Sequence, residues 1–182
     1  MAYTILYIAT SKDGFIADKH GGVDWLPQEA PEGEDFGFEK FVSSIDVIAQ
    51  GSRTFIQTIS FIETGIVPDL PYGGKHMYVF THEPMQTDRN DVTFVTSIEN
   101  YLNIINKDPQ IKRVWLLGGA QLIASFKDYG LIDECIVTII PTVLHEGIAL
   151  PTNLYGGMKE VETKKYSKDI IEKKFIRDEK SL

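Results

Sequence analysis

The stretch Val114-Trp115-Leu116-Leu117-Gly118-Gly119-Ala120-Gln121-Leu122 decides how this chain is read. A short apolar run meets two glycines, and a helical pattern begins at once. That is strand, tight turn, helix. Such a turn leaves backbone N–H groups unpaired at a helix N-terminus, where the macrodipole favours an anion. The same grammar occurs earlier, where Val47-Ile48-Ala49 runs into Gly51-Ser52-Arg53-Thr54-Phe55. Either turn alone fits a plain strand–helix connection equally well. Together they fit the two ends of a phosphate-rich cofactor. Neither is G-x-G-x-x-G, so the standard dinucleotide fingerprint is missing.

Working outward, strands are expected at residues 3–9, 46–50, 76–81, 92–95 and 113–117, and a long apolar one at 131–143. Helices are expected at 35–45, 52–60, 97–106 and 120–128, with Ser97 as an N-cap. Residues 161–167 and 170–177 alternate across Lys168-Asp169 and predict a hairpin. Residues 10–33 are rich in Gly, Asp and Pro and read as a long loop, which in a compact domain is usually functional, with Asp13-Gly14-Phe15-Ile16-Ala17 as a turn leading into a short extended piece. Helices alternate with strands up to about residue 130, and strands dominate afterwards. The expected fold class is therefore α/β, with a mainly parallel sheet and an antiparallel hairpin at one edge.

The bulk numbers bound the function. The 182 residues fit a single domain spanning 1–182. A hydrophobic share of 43% and a charged share of 24% are ordinary for a soluble globular protein. The formal net charge of -8 disfavours nucleic-acid backbones as partners. Lys164-Lys165 and Lys173-Lys174 are interleaved with acids and read as a solvated strand face. Cys135 is the single cysteine and reads as a buried thiol, so cytoplasmic residence is the expectation. No run has the apolar length of a membrane span, and no signal peptide is expected. The four histidines lack ligand spacing, so no metal is expected.

In order along the chain stand Ala9-Thr10-Ser11-Lys12-Asp13-Gly14-Phe15-Ile16-Ala17 and Val23-Asp24-Trp25-Leu26. The Gly51 turn and Trp115-Leu116-Leu117-Gly118-Gly119-Ala120 follow. Gly130-Leu131-Ile132-Asp133-Glu134 and Ile140-Pro141-Thr142-Val143-Leu144 complete the set. This ordered set resembles the dihydrofolate reductase superfamily. Within it, the chain is most similar to stand-alone relatives of the reductase domain of bifunctional riboflavin-biosynthesis deaminase-reductases. The cysteine and histidine clusters of the zinc deaminase half are absent.

The resemblance implies a three-layer α/β/α fold on a sheet of about eight strands, NADPH as cofactor and a homodimer. It places Gly51, Ser52, Arg53 and Thr54 by the cofactor's phosphates. It puts Gly118, Gly119, Ala120, Gln121 and Leu122 under the pyrophosphate and nicotinamide ribose, with the Gly118–Gly119 bond cis. Ala9 and Ile16 would line the nicotinamide pocket, and Thr81 the adenosine side.

The implied substrate is a small pyrimidine- or pterin-like heterocycle, the riboflavin-pathway ribosylaminopyrimidinone first among them. Dihydrofolate reductases use one carboxylate on the first helix, and Asp35 stands at a similar spacing before Thr54. It is the candidate catalytic and substrate-anchoring acid, with Glu34, Glu39 and Asp24 as rivals. A helix-start acid that merely complements the dipole fits Asp35 too. Asp13, Lys12 and Trp25 are further substrate candidates in the early loop, and Trp25 fits a core edge as well. Folate enzymes carry an arginine just before the third strand. Gly74 takes its place here, and Lys75 offers only a point charge. Folate reduction is thereby the second choice, with a non-catalytic nucleotide-binding dimer on the same fold as the third.

Overall fold

A computed structural model describes residues 1–27, 35–66 and 71–178. Eight strands form one sheet in the order β5-β4-β3-β6-β1-β7-β10-β9. They are β1 (Tyr3–Ser11), β3 (Val47–Gly51), β4 (His76–Phe80), β5 (Val92–Val95), β6 (Arg113–Gly118), β7 (Glu134–Ile140), β9 (Met158–Lys165) and β10 (Ile171–Arg177). All neighbouring pairs from β5 to β7 are parallel. β10 and β9 add an antiparallel edge. A second, two-stranded sheet pairs β2 (Phe15–Ala17) with β8 (Ile148–Ala149).

Helices cover both faces of the large sheet. α1 (Phe38–Ser43) and α2 (Ser52–Glu63) contribute Phe41 and Phe55 to a core with Ile5, Ile48, Met77, Val79 and Trp115. α3 (Ile98–Ile105) and α4 (Ala120–Asp128) bury Tyr101, Ile123 and Phe126 against Leu6, Ala49, Val114, Leu116 and Cys135. Strands buried on both sides must be apolar throughout, which is why β1, β3 and β6 read as continuous hydrophobic runs. This is the expected α/β class with its C-terminal hairpin.

Some boundaries differ, each for a local reason. The long loop read at 10–33 is not structureless from its start. β1 continues through Ser11, and the short extended piece expected after Asp13-Gly14 is β2, pinned by pairing with β8. The first helix starts at Phe38 rather than 35, because Phe36 and Gly37 both have positive φ. The apolar run 131–143 yields a strand only over Glu134–Ile140; Pro141 ends it, since proline cannot donate to a ladder. The hairpin's first strand starts at Met158. Its turn is as read: Lys168 and Asp169 have φ of 54° and 57°, the left-handed pair that a tight hairpin needs. Glu34 lies outside the described residues.

Candidate functional site

Register brings the two glycine turns together. β3 pairs directly with β6, and Gln50 stands opposite Gly118. Both strands therefore release their helices at the same end of the sheet. A Cβ on Gly51 would sit 3.8 Å from Gly118 O and 3.9 Å from Gly119 N. A Cβ on Gly119 would sit 3.4 Å from Thr54 Oγ1, on the first turn of α2. The turns are neighbours although more than a third of the chain separates them. The Gly118–Gly119 peptide is cis, and Gly118 has φ +135°, a region closed to residues with a side chain.

The helix starts differ in one respect. α3 is capped in the usual way, with Ser97 Oγ accepting from Asn100 N at 3.1 Å. α2 begins at Gly51 and α4 at Gly119, and no side chain caps either. Their first-turn N–H groups have no intrahelical acceptor. Two positive helix ends thus adjoin at the carboxyl ends of parallel strands, where open α/β sheets bind ligands. The residues fit a pyrophosphate: backbone donors, a glycine floor without Cβ, and exposed Arg53 beside them.

Other candidates fall around this centre. Ala9 lies half-buried near the end of β1, next to the β6 turn. Ile16 in β2 packs on the core. Thr81 follows β4, whose last residue Phe80 stands opposite Gly51. Its hydroxyl donates to Glu83 O at 2.7 Å and so closes its own turn. Gln121 is exposed, whereas the Leu122 side chain belongs to the core and leaves only its backbone N–H for a ligand. Trp25 is half-buried, and its indole N–H has no partner among the described residues.

The two aspartates are already engaged. Asp13 accepts from Ser11 Oγ at 2.7 Å, Leu144 N at 3.1 Å and His145 N at 2.8 Å. Partial desolvation works to raise its pKa, but these hydrogen bonds prevail and hold it at about 2. Asp13 staples the early loop to the segment before β8. Asp35 accepts from Gly37 N at 2.8 Å and Glu39 N at 3.1 Å, and these bonds hold its carboxyl below the usual range. That is a helix-start cap, and it disfavours the protonated form a proton donor requires.

Sequence reading passes over a second polar group, on the β7–β10 side. Tyr7 stacks on Phe41 at 4.4 Å, and its hydroxyl faces Thr138 and Glu172. Desolvation first, then the Glu172 charge, pushes this phenol upward. Glu172 and Thr138 are both buried. The missed signal was register: Glu172 lies two residues after buried Ile170, on the inward side of an alternating strand. Two clefts of about 140 and 320 Å³ surround Met1, Ala2 and Tyr3 at the opposite end of β1, away from the turns. Among the described residues no cluster of His, Cys, Asp and Glu could hold a metal, and no helix is long and apolar enough to cross a membrane.

This topology, with glycine turns at its carboxyl edge, defines a dihydrofolate reductase-like α/β protein. A model of the RibD C-terminal domain matches residues 2–171, and the chain belongs to that family of riboflavin-biosynthesis reductase-like proteins. It is 35% identical over 147 residues to the uncharacterised protein YwjB of Bacillus subtilis (strain 168), covering 81% of each chain. A crystal structure from Shewanella sp. PV-4, assigned to riboflavin biosynthesis, superposes with a TM-score of 0.81 at 26% identity, over 98% of this chain and 99% of that one. The diaminohydroxyphosphoribosylaminopyrimidine deaminase/5-amino-6-(5-phosphoribosylamino)uracil reductase of Thermotoga maritima shares the fold at 15% identity and a TM-score of 0.67. There the match covers 97% of this chain but 57% of the longer protein.

Proposed function

We propose that this protein is an NADPH-dependent reductase of a small pyrimidine- or pterin-like heterocycle, with 5-amino-6-(5-phosphoribosylamino)uracil-type compounds as the leading class. The observation that carries this reading is the side-by-side placement of two helix N-termini that no side chain caps, over a floor made of Gly51, Gly118 and Gly119. A single pyrophosphate satisfies the orphan donors of both helices, which a lone strand–helix connection does not explain. Arg53 and Thr54 flank the α2 side, and Ala120 and Gln121 the α4 side.

When bound, the cofactor supplies a hydride; the chain supplies position and electrostatics. Ala9 and Ile16 wall the nicotinamide side of the cleft. Asp13 holds the segment that forms β8 against the early loop and so shapes that wall. Asp35 fixes the start of α1 and carries no proton-transfer step in this reading. Gly74, where folate enzymes place an arginine, leaves no planar fork for a glutamate tail and favours a smaller substrate.

Titration with NADPH, read by tryptophan fluorescence, tests this directly, since Trp25 and Trp115 are the two reporters. Saturable quenching below millimolar cofactor is expected. No quenching up to millimolar concentration overturns the reading.

A further inference from the structure

The turn of the C-terminal hairpin touches the start of α1. Ile171, the first residue of β10, stands opposite Ile139 near the end of β7. The hairpin turn therefore lies at the carboxyl ends of the parallel strands, the end that carries the glycine turns. There the Phe36 ring meets Tyr166 edge-on at 4.9 Å, and Tyr166 Oη donates to Phe36 O at 3.3 Å. No other donor among the described residues reaches that carbonyl. Phe36 has φ 52°, a left-handed conformation that is costly for a bulky residue and persists only where its surroundings enforce it. Tyr166 supplies such a contact.

The same hydroxyl has a second acceptor. Glu172 Oε1 lies 3.5 Å from Tyr166 Oη, and Glu172 is 6% exposed. A phenol has a single proton and serves only one acceptor fully. An ionised carboxylate is the stronger acceptor and draws that proton to itself. A protonated Glu172 reverses the order: its own O–H donates to Tyr166 Oη, and the phenol proton is left for Phe36 O. Each group in the chain from Glu172 through Tyr166 to Phe36 is then matched. Burial acts most strongly on Glu172 and pushes its titration upward. The Lys164 charge on β9, 3.4 Å from Oε1, opposes this, and Glu162 on β9 adds to it. Tyr7 faces Glu172 from β1, and β7 presents the neutral Thr138. At the start of α1, hydrogen bonds from Gly37 N and Glu39 N hold Asp35 below the usual carboxylate range, so its titration lies lower.

We propose that Tyr166 is a proton-operated latch on α1, closed onto Phe36 while Glu172 carries a proton and released when Glu172 loses that proton to solvent. On release the phenol turns to the carboxylate, Phe36 O loses its donor, and the first turn of α1 loosens. The latch sets how firmly α1 is held at the cleft end of the sheet. It is a property of the chain itself and stands apart from the reductase reading, so its test needs no cofactor.

That test is amide hydrogen exchange resolved by NMR from pH 4 to pH 8, corrected for intrinsic rates, with the Glu172 carboxyl carbon shift followed in parallel. Protection of the Gly37, Phe38 and Glu39 amides in wild type is expected to fall by about two- to tenfold, the worth of one hydrogen bond. The fall should share its midpoint with the Glu172 titration, while Asn100 at the capped start of α3 serves as the reference. Glu172→Gln, whose amide donates as the protonated acid does, should stay protected at every pH. Tyr166→Phe keeps the ring contact but has no proton to give, and should exchange at the faster rate throughout. A Glu172 that serves only the hairpin's stability would move Asn100 as much as Gly37, and Tyr166→Phe would keep the pH dependence. That result overturns the latch. Wild-type protection that ignores the Glu172 titration, or a Glu172 carboxyl that does not titrate in this range, overturns it too.

Discussion

Gly119 is the residue on which the site turns. Its φ of -70° is open to any residue, and a Cβ there would find Thr54 Oγ1 at 3.4 Å, an ordinary contact. Gly119→Val should therefore fold, while its branched carbons fill the space above the amides. NADPH affinity should drop by about ten- to a hundredfold, the loss of a charge-assisted hydrogen bond. Fluorescence titration checks this, with circular dichroism as the control for folding. Glu172 makes a second prediction through linkage. Its folded pKa lies above the unfolded value, so the native state binds the extra proton between the two. Stability from this group is present below the unfolded pKa and is lost as pH rises through the folded one. Melting curves from pH 4 to pH 8 should show wild type losing ground to Glu172→Gln as pH increases. A constant gap would mean that Glu172 is not perturbed. The glycines were legible in the sequence because a turn needs them locally. Glu172 was not, because its burial depends on which strand lies beside it.

Capping separates the helices by purpose. α3 has its serine, as the sequence reading expected, and stands apart from the turns. Ser97→Ala should cost about 1 kcal/mol of stability and leave NADPH affinity untouched, as chemical denaturation with a parallel titration can show. α2 and α4 have no such residue to lose, which leaves their first-turn N–H groups for the cofactor proposed above. Asp13 acts at the same scale. Two hydrogen bonds, from Leu144 N and His145 N, join it to the segment before β8, and Gly147 passes so close to β2 that a Cβ would sit 2.3 Å from Ala17 O. Asp13→Ala should free this segment, and limited proteolysis should cut between residues 141 and 149 faster than in wild type. In the early loop the turn at Asp13-Gly14 and the short extended piece after it were legible, but the partner was not: β2 is held by pairing with β8, far downstream. Periodicity within three residues cannot name the strand they will pair with.

At the scale of the molecule, the parallel sheet does the assembling. The α/β class and the edge hairpin were readable from the alternation of helical and extended patterns. What no local pattern contains is strand order. β6 returns to lie between β3 and β1, and this insertion sets the Gly118 turn against the Gly51 turn. The pairing of β1 with β7 and of β7 with β10 likewise aligns Ala9 with Thr138 and Glu172, so that the glycine turns and the buried acid share one edge. The most direct measurement is an amide-resolved NMR titration with NADPH. The amides of Ser52, Arg53, Ala120 and Gln121 should shift together with one Kd, while those at the capped start of α3 stay still. Shifts confined to one turn, or to neither, would contradict a cofactor held between both.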